Sequence, residues 1–202
     1  MELKGITMPG YKVYEYLLVL NPHEELRKKI VGIQMEFADE FKVTTKGGAN
    51  LGLVRFLNYE MMEQRIINKL RLIALGYPPF KIELKDFGSF PTHTIYIQTV
   101  SKLPIQNLVK EIRSETQRLM KLDDDNKPHF ILEPHITIGR KLKPWQYEKG
   151  WLKYSNKHFT GRFIADAMVL LRRERTGEPW QILERFEFQN MPVTTRQGEL
   201  FG

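Results

Sequence analysis

Glu133-Pro134-His135-Ile136-Thr137-Ile138-Gly139-Arg140 is the stretch that decides how this chain is read. It follows a run of turn formers, Asp123-Asp124-Asp125-Asn126-Lys127-Pro128, and then alternates along its length as a β-strand does. Successive strand side chains point to opposite faces, so His135 and Thr137 share one. An imidazole beside a hydroxyl on a rigid strand suits a phosphate. The ring can move a proton, and the hydroxyl can hold a non-bridging oxygen. A lone His-x-Thr is equally what an ordinary strand with a structural histidine looks like, so a second copy carries the decision.

Working outward, residues 11–20 read as a buried strand. Asn21-Pro22-His23-Glu24 has the marks of a helix start, with Asn21 as cap and Pro22 in the first helical position. Leu26, Ile30, Ile33 and Phe37 then follow at helical spacing to about Val43, with His23 exposed and structural. After the loop at 44–48, residues 49–57 read as a second strand. Asn58 then caps a second helix, which Gly76 and Pro78-Pro79 end. Residues 80–85 alternate as a half-exposed strand, Gly88-Ser89-Phe90-Pro91 breaks the chain, and residues 93–100 form the next strand. Pro104 opens a third helix with Ile105, Leu108, Val109, Ile112 and Leu119 on one face. Beyond the His135 strand, a shorter helix starts at Pro144-Trp145 and reaches about Tyr154. Strands over 163–172 and 180–188, joined by a Gly177-Glu178-Pro179 turn, precede a loosely held polar tail from Met191.

Each half of this order runs strand, helix, strand, helix, strand, with one strand added at the end. That predicts an α+β fold: a single bilobal domain over 1–202, its lobe halves at about 10–90 and 91–190, related by a pseudo-two-fold about a shared cleft. The counterpart of the His135 strand is the strand at 49–57. Without a gap, Pro134-His135-Ile136-Thr137-Ile138-Gly139-Arg140 meets Ala49-Asn50-Leu51-Gly52-Leu53-Val54-Arg55. His135 then faces Asn50, Thr137 faces Gly52, and Arg140 matches Arg55. A register shifted by one residue opposes Leu51 and Leu53 to His135 and Thr137 and loses the arginine match.

The chain has 202 residues, 42% of them hydrophobic, enough for one sizeable core. No run approaches the ~18 apolar residues of a membrane span, and Met1-Glu2-Leu3-Lys4-Gly5 lacks the apolar core of a signal peptide. The absence of cysteine removes disulfides, thiolate metal sites and thiol catalysis, and fits a cytoplasmic protein. A net charge of +7 and a pI near 9.5 favour an anionic partner such as RNA or a nucleotide. No basic block is long enough to act as a tail, so the fold must assemble any anion site. His129, Glu133 and His135 share a strand face, but residues six apart in a strand stand roughly 20 Å apart, too far for one metal ion.

These residues resemble the 2H phosphoesterase superfamily, which includes 2′-5′ RNA ligase-like and cyclic nucleotide phosphodiesterase proteins. The resemblance is carried by Pro134-His135-Ile136-Thr137-Ile138-Gly139-Arg140, by Gly88-Ser89-Phe90-Pro91 leading into Ile95-Tyr96-Ile97, and by Met168-Val169-Leu170-Leu171-Arg172-Arg173 with the strand from Trp180 to Phe188. It implies a bilobal fold with two His-x-Thr/Ser motifs facing across a cleft. It also implies hydrolysis or formation of 2′-linked or cyclic phosphate esters without metal or cofactor, one imidazole activating water while the other protonates the leaving oxygen. A monomer is expected.

On that resemblance His135 and Thr137 are catalytic, while Asn50 and Gly52 occupy the first motif. Asn50 can hydrogen-bond a phosphate but cannot exchange a proton near neutral pH. The expected protein is thus a phosphate-ester binder with impaired or altered catalysis, or a non-catalytic nucleotide- or RNA-binding module. Tyr96 and His93 are candidate contacts: Tyr96 to stack a base, His93 to replace the missing base, though His93 shares the core side with Ile95 and Ile97. Arg55 and Arg140 fall on the faces opposite Asn50 and His135 in a regular strand, and either reach the phosphate around a bend or pair with acidic residues. Lys46 is a further candidate flank.

Overall fold

The computed structural model describes residues 11–43, 48–174 and 178–192. In chain order these form β1 (Val13–Leu20), α1 (Glu24–Phe41), β2 (Leu51–Tyr59), a 3-10 turn (Glu60–Met62), α2 (Glu63–Gly76), β3 (Phe80–Phe90) and β4 (Thr94–Thr99). Then come α3 (Lys102–Met120), β5 (His129–Phe130), β6 (His135–Arg140), α4 (Pro144–Tyr154), β7 (Thr160–Ala165), β8 (Ala167–Arg173) and β9 (Gln181–Glu187). Lys46, Gly177 of the expected turn and the tail beyond Pro192 lie outside the described residues.

The class is α+β, as expected, with two antiparallel sheets of strand order β5-β2-β1-β8-β9 and β6-β4-β3-β7. In β1, Tyr16, Leu18 and Leu20 are buried in the main core. Leu17 and Val19, on the other face, join Val169, Leu171 and Trp180 in a second, smaller apolar cluster. α2 and α3 pack against the five-stranded sheet, and α1 and α4 against the four-stranded one.

The sheets do not coincide with halves at 10–90 and 91–190. The turn Pro91–His93 is so tight that β3 and β4 must pair with each other, with His93 N–H donating to Phe90 O at 3.2 Å. β3 therefore joins the second sheet, while β8 and β9 return to the first. The expected strand over 163–172 divides at Asp166, where the chain passes from the four-stranded sheet in β7 to the five-stranded one in β8. The helices cross over as well. α1 leaves β1 and packs on β6 and β7, whereas α3 leaves β4 and packs on β2 and α2. Each sheet is thus covered by a helix that follows a strand of the other.

Two expected caps move. His23, not Asn21, caps α1: its backbone is extended and its Nδ1 accepts from the Leu26 N–H at 3.3 Å. Asn58 remains in β2, 2% exposed, and its amide donates to Leu119 O at 2.7 Å, tying that strand to the end of α3. Its side chain is thereby spent on a tertiary bond. The 3-10 turn begins the descent to α2 instead.

Candidate functional site

β6 is an edge strand beside β4, with Gln98 opposite His135 and Tyr96 opposite Thr137. Directly opposed residues share a face, so all four side chains lie on one side of the sheet. The other side is core: Ile136 is fully buried opposite Ile97, and Gly139 lies opposite Ile95. A Cβ on Gly139 would stand 2.4 Å from Phe37 Cε1 of α1, so glycine lets that helix close on the strand. α1 also fixes β6 directly, through Gln34 Nε2 donating to Thr137 O at 2.7 Å.

His135 is half-buried, and its Nδ1 is 2.7 Å from Glu133 O. A carbonyl only accepts, so Nδ1 carries the proton and the neutral ring keeps its lone pair on Nε2. Burial lowers the imidazole pKa from the ordinary 6.5; the bond to the Glu133 carbonyl and the charge of Glu133 oppose this without reversing it. The ring is braced by Tyr96 at 4.8 Å and by Phe90, edge-on, at 5.1 Å between centroids. Among the described residues, the Thr137 hydroxyl takes no protein hydrogen-bond partner.

The two sheets frame a cleft of about 530 Å³ whose lining includes His135, Thr137 and Arg140 from β6 and Asn50, Gly52 and Arg55 from the β2 region. The regular-strand expectation for the arginines fails, and the cause is the same in both strands. In β2, Val19 pairs with Gly52 and Leu18 with Val54, leaving Leu53 as an extra residue. In β6, Tyr96 pairs with Thr137 and Ile95 with Gly139, leaving Ile138 extra. Each extra residue is a β-bulge that reverses the alternation beyond it, so Arg55 and Arg140 emerge on the cleft face. Both bulges fall at the same place in the gapless match of Asn50–Arg55 to His135–Arg140.

The position of Gly52 is not open space. A Cβ built there would lie 2.7 Å from Ile131 Cδ1 and 3.9 Å from Leu17 Cδ1. Ile131 follows β5, its N–H donating to Leu53 O at 2.9 Å, and lines the cleft. Its branched aliphatic side chain thus fills the volume that a threonine at position 52 would need. The Asn50 side chain folds back over Gly48, where a Cβ would meet its Nδ2 at 2.7 Å.

Two expected contacts lie elsewhere. His93 belongs to the β3–β4 turn, its Nδ1 2.7 Å from Thr94 Oγ1 and its ring stacked on Phe90, and it does not line the cleft. Tyr96 shares the face of His135 but packs on that ring, on Phe90 and over Gly88, and is likewise absent from the lining. Sequence reasoning misses several lining residues: Arg27, His129, Ile131, Arg173 and Trp180. Only His129 carries a signal in the sequence, and the two-residue strand β5 that pairs it with Arg55 is too short to read.

Four arginines, Arg27, Arg55, Arg140 and Arg173, line the cleft, and among the described residues no aspartate or glutamate does. Beneath them Glu15 is 5% exposed. Its Oε1 accepts from Arg55, and its Oε2 accepts from Arg173 Nε at 2.6 Å. Burial pushes the Glu15 pKa up, but the Arg173 and Arg55 guanidiniums together hold it below the ordinary 4.5. Arg173 also lies 4.2 Å over the Trp180 ring.

Residues 50–177 match the profile of the 2′-5′ RNA ligase superfamily. A Geobacillus kaustophilus protein named "Putative phosphoesterase" is 31% identical over 127 residues, which are 61% of this chain and 68% of that protein. The fold is similar to that of a Thermus thermophilus protein, with a TM-score of 0.64 at 18% identity over 87% of this chain and 98% of the other. It is also similar to Escherichia coli LigT solved with 3′-AMP, with a TM-score of 0.62 at 15% identity over 87% and 98%.

Proposed function

Since the chain belongs to the 2′-5′ RNA ligase superfamily, we propose that its cleft binds a 2′-linked or 2′,3′-cyclic phosphate ester of RNA or a nucleotide at His135 and Thr137. Catalysis there is impaired or altered, because Asn50 and Gly52 occupy the first-motif positions. The observation that carries this reading is the pair of matched bulges at Leu53 and Ile138. They support the register in which Asn50 answers His135 and Gly52 answers Thr137.

His135 is equipped for half of the chemistry. Its Nδ1 proton is engaged by Glu133 O, so Nε2 can take a proton from water or a hydroxyl. The Thr137 hydroxyl can donate to a non-bridging oxygen, and the arginines offset the phosphate charge. The leaving 2′-oxygen has no acid at the other first-motif position. Asn50 can donate a hydrogen bond to it but transfers no proton. Losing one general acid or base costs about 10²–10⁴ in rate.

A second reading keeps the site and drops the turnover: a nucleotide- or RNA-binding module. The Ile131 side chain over Gly52 favours it. Escherichia coli LigT has been solved with 3′-AMP, ATP and NADP⁺, which supports a nucleotide as the bound species here. Turnover of a 2′,3′-cyclic nucleotide by the purified protein separates the readings, with His135→Ala as control. Slow, His135-dependent hydrolysis supports an impaired enzyme, and binding without hydrolysis supports the module. Fast hydrolysis that is abolished by His135→Ala and untouched by Asn50→Ala overturns the impairment.

A further inference from the structure

We infer that a groove between α3 and β5, outside the cleft, holds the backbone of a single-stranded RNA whose phosphate-ester end lies at His135. The inference rests on the phosphate-ester reading of that site and narrows its ligand to an oligonucleotide rather than a free nucleotide.

The groove has a volume of about 330 Å³, with Arg113, Gln117 and Lys121 of α3 on one side and Lys127, His129 and Phe130 on the other. Topology makes it a separate hollow. β5 is an edge strand of the five-stranded sheet, and side chains alternate along it. His129 and Ile131 turn to the cleft, while Phe130 turns the other way, against the main core and under the Arg113 guanidinium. Among the described residues, His129 alone lines both hollows. A chain leaving the cleft over His129 therefore enters the groove with no further strand in its path.

The second step is charge. Among the described residues no aspartate or glutamate lines the groove, although Asp123, Asp124 and Asp125 precede it in the chain. Asp123 is spent within its own turn, its Oδ1 accepting from the N–H groups of Asp125 and Asn126 at 3.0 and 2.7 Å. Asp124 pairs with Lys121. Arg113 and Lys127 are exposed, and neither has a carboxylate partner among the described residues. Arg113 and Gln117 stand one turn apart on the same helix face, and Arg113 Nε donates to Gln117 Oε1 at 3.1 Å. That bond steadies a guanidinium lying 5.9 Å over the Phe130 ring. Unpaired cations beside a stacking plane match what single-stranded RNA offers, phosphates for the cations and base faces for the guanidinium and ring. An acidic peptide offers the charge without the faces.

The test compares adenosine 2′,3′-cyclic phosphate with an oligoadenylate about ten nucleotides long that ends in the same cyclic phosphate, titrated calorimetrically into the full chain at several salt concentrations. The wild-type protein binds the oligonucleotide at least about tenfold more tightly, and the ratio shrinks as salt rises. Arg113→Gln with Lys127→Gln, neither of which lines the cleft, brings the ratio towards one, leaves the mononucleotide affinity unchanged and lowers the salt slope for the oligonucleotide by about 1.4, at roughly 0.7 per phosphate contact. His135→Ala weakens both probes and leaves the ratio. A wild-type ratio near one, a ratio that survives the double variant, or equal displacement of the oligonucleotide by polyglutamate of matching length overturns the RNA groove and leaves the His135 reading standing. Failure of the wild-type protein to bind either probe, or equal binding of the oligonucleotide with a plain 3′-hydroxyl end, overturns the phosphate-ester reading and the groove proposal with it. Both substituted side chains are on the surface, so the double variant folds as wild type does, and the wild-type comparison decides the matter in any case.

Discussion

Rebuilding the first motif is the perturbation that probes this site most deeply. Asn50→His with Gly52→Thr supplies an imidazole and a hydroxyl at the positions proposed for the first motif, but the threonine does not fit as the cleft stands. Its Cβ would sit 2.7 Å from Ile131 Cδ1, well inside the 3.5–4.0 Å optimum for carbon contacts. Ile131→Val removes that Cδ1 atom. The double variant is therefore expected to lose about 1–3 kcal/mol to overpacking. The triple variant, with Ile131→Val, recovers most of that loss, because the methyl group of the introduced threonine occupies the vacated volume. A restored general acid–base pair is worth about 10²–10⁴ in rate, so the triple variant should hydrolyse a 2′,3′-cyclic nucleotide faster than wild type by that factor. The assay is steady-state release of the 2′-oxygen from the cyclic ester, with urea unfolding in parallel. A folded triple variant that binds the substrate yet turns it over at the wild-type rate would refute the assignment of Asn50 and Gly52 to the first motif.

Four further outcomes follow from the packing and charge. Gly139→Ala drives a methyl into Phe37, itself held against Gly150, and should cost about 1–3 kcal/mol in urea unfolding. Glu15→Gln leaves the buried Arg173 without its carboxylate and should cost about 3–5 kcal/mol; because the folded Glu15 pKa lies below 4.5, the stability it contributes is present above 4.5 and is lost as pH falls through the folded value. For His135 the direction is the same, in a higher pH window. Below 6.5 the unfolded chain takes up a proton at this ring before the folded protein does, so stability rises with pH between the lowered value and 6.5, and His135→Asn should flatten that slope in pH-dependent unfolding. Fragments 1–90 and 91–202 should each be largely unfolded by circular dichroism and regain structure when mixed, because α1 and α3 each pack against the sheet of the other half; cooperative melting of either fragment alone would contradict this.

How much of this is legible in the sequence depends on whether the signal is local. Hydrophobic period and turn chemistry locate the helices and most strands, since each is written in its own residues. The His135–Thr137 face is legible because alternation holds across a three-residue span. Alternation fails for Arg55 and Arg140, because a bulge is visible only when the partner strand is known. The division of strands between sheets is hidden for the same reason: residues 163–172 read as one apolar strand although Asp166 carries the chain from one sheet to the other. The α1 cap falls at His23 rather than Asn21, since an imidazole acceptor lacks the short side chain by which N-caps are usually recognised. Arg173 and Trp180 cannot be placed from sequence at all. They reach the cleft only because β8, near the far end of the chain, pairs with β1.

The most direct test is a histidine-ring NMR titration of the protein with adenosine 2′,3′-cyclic phosphate, following the ligand by phosphorus NMR in the same tube. The expected result is a saturable shift of the His135 ring with a rise in its pKa on binding, while the cyclic ester disappears slowly or not at all. A His135 ring indifferent to millimolar ligand would contradict the account, as would brisk ring opening that persists in Asn50→Ala.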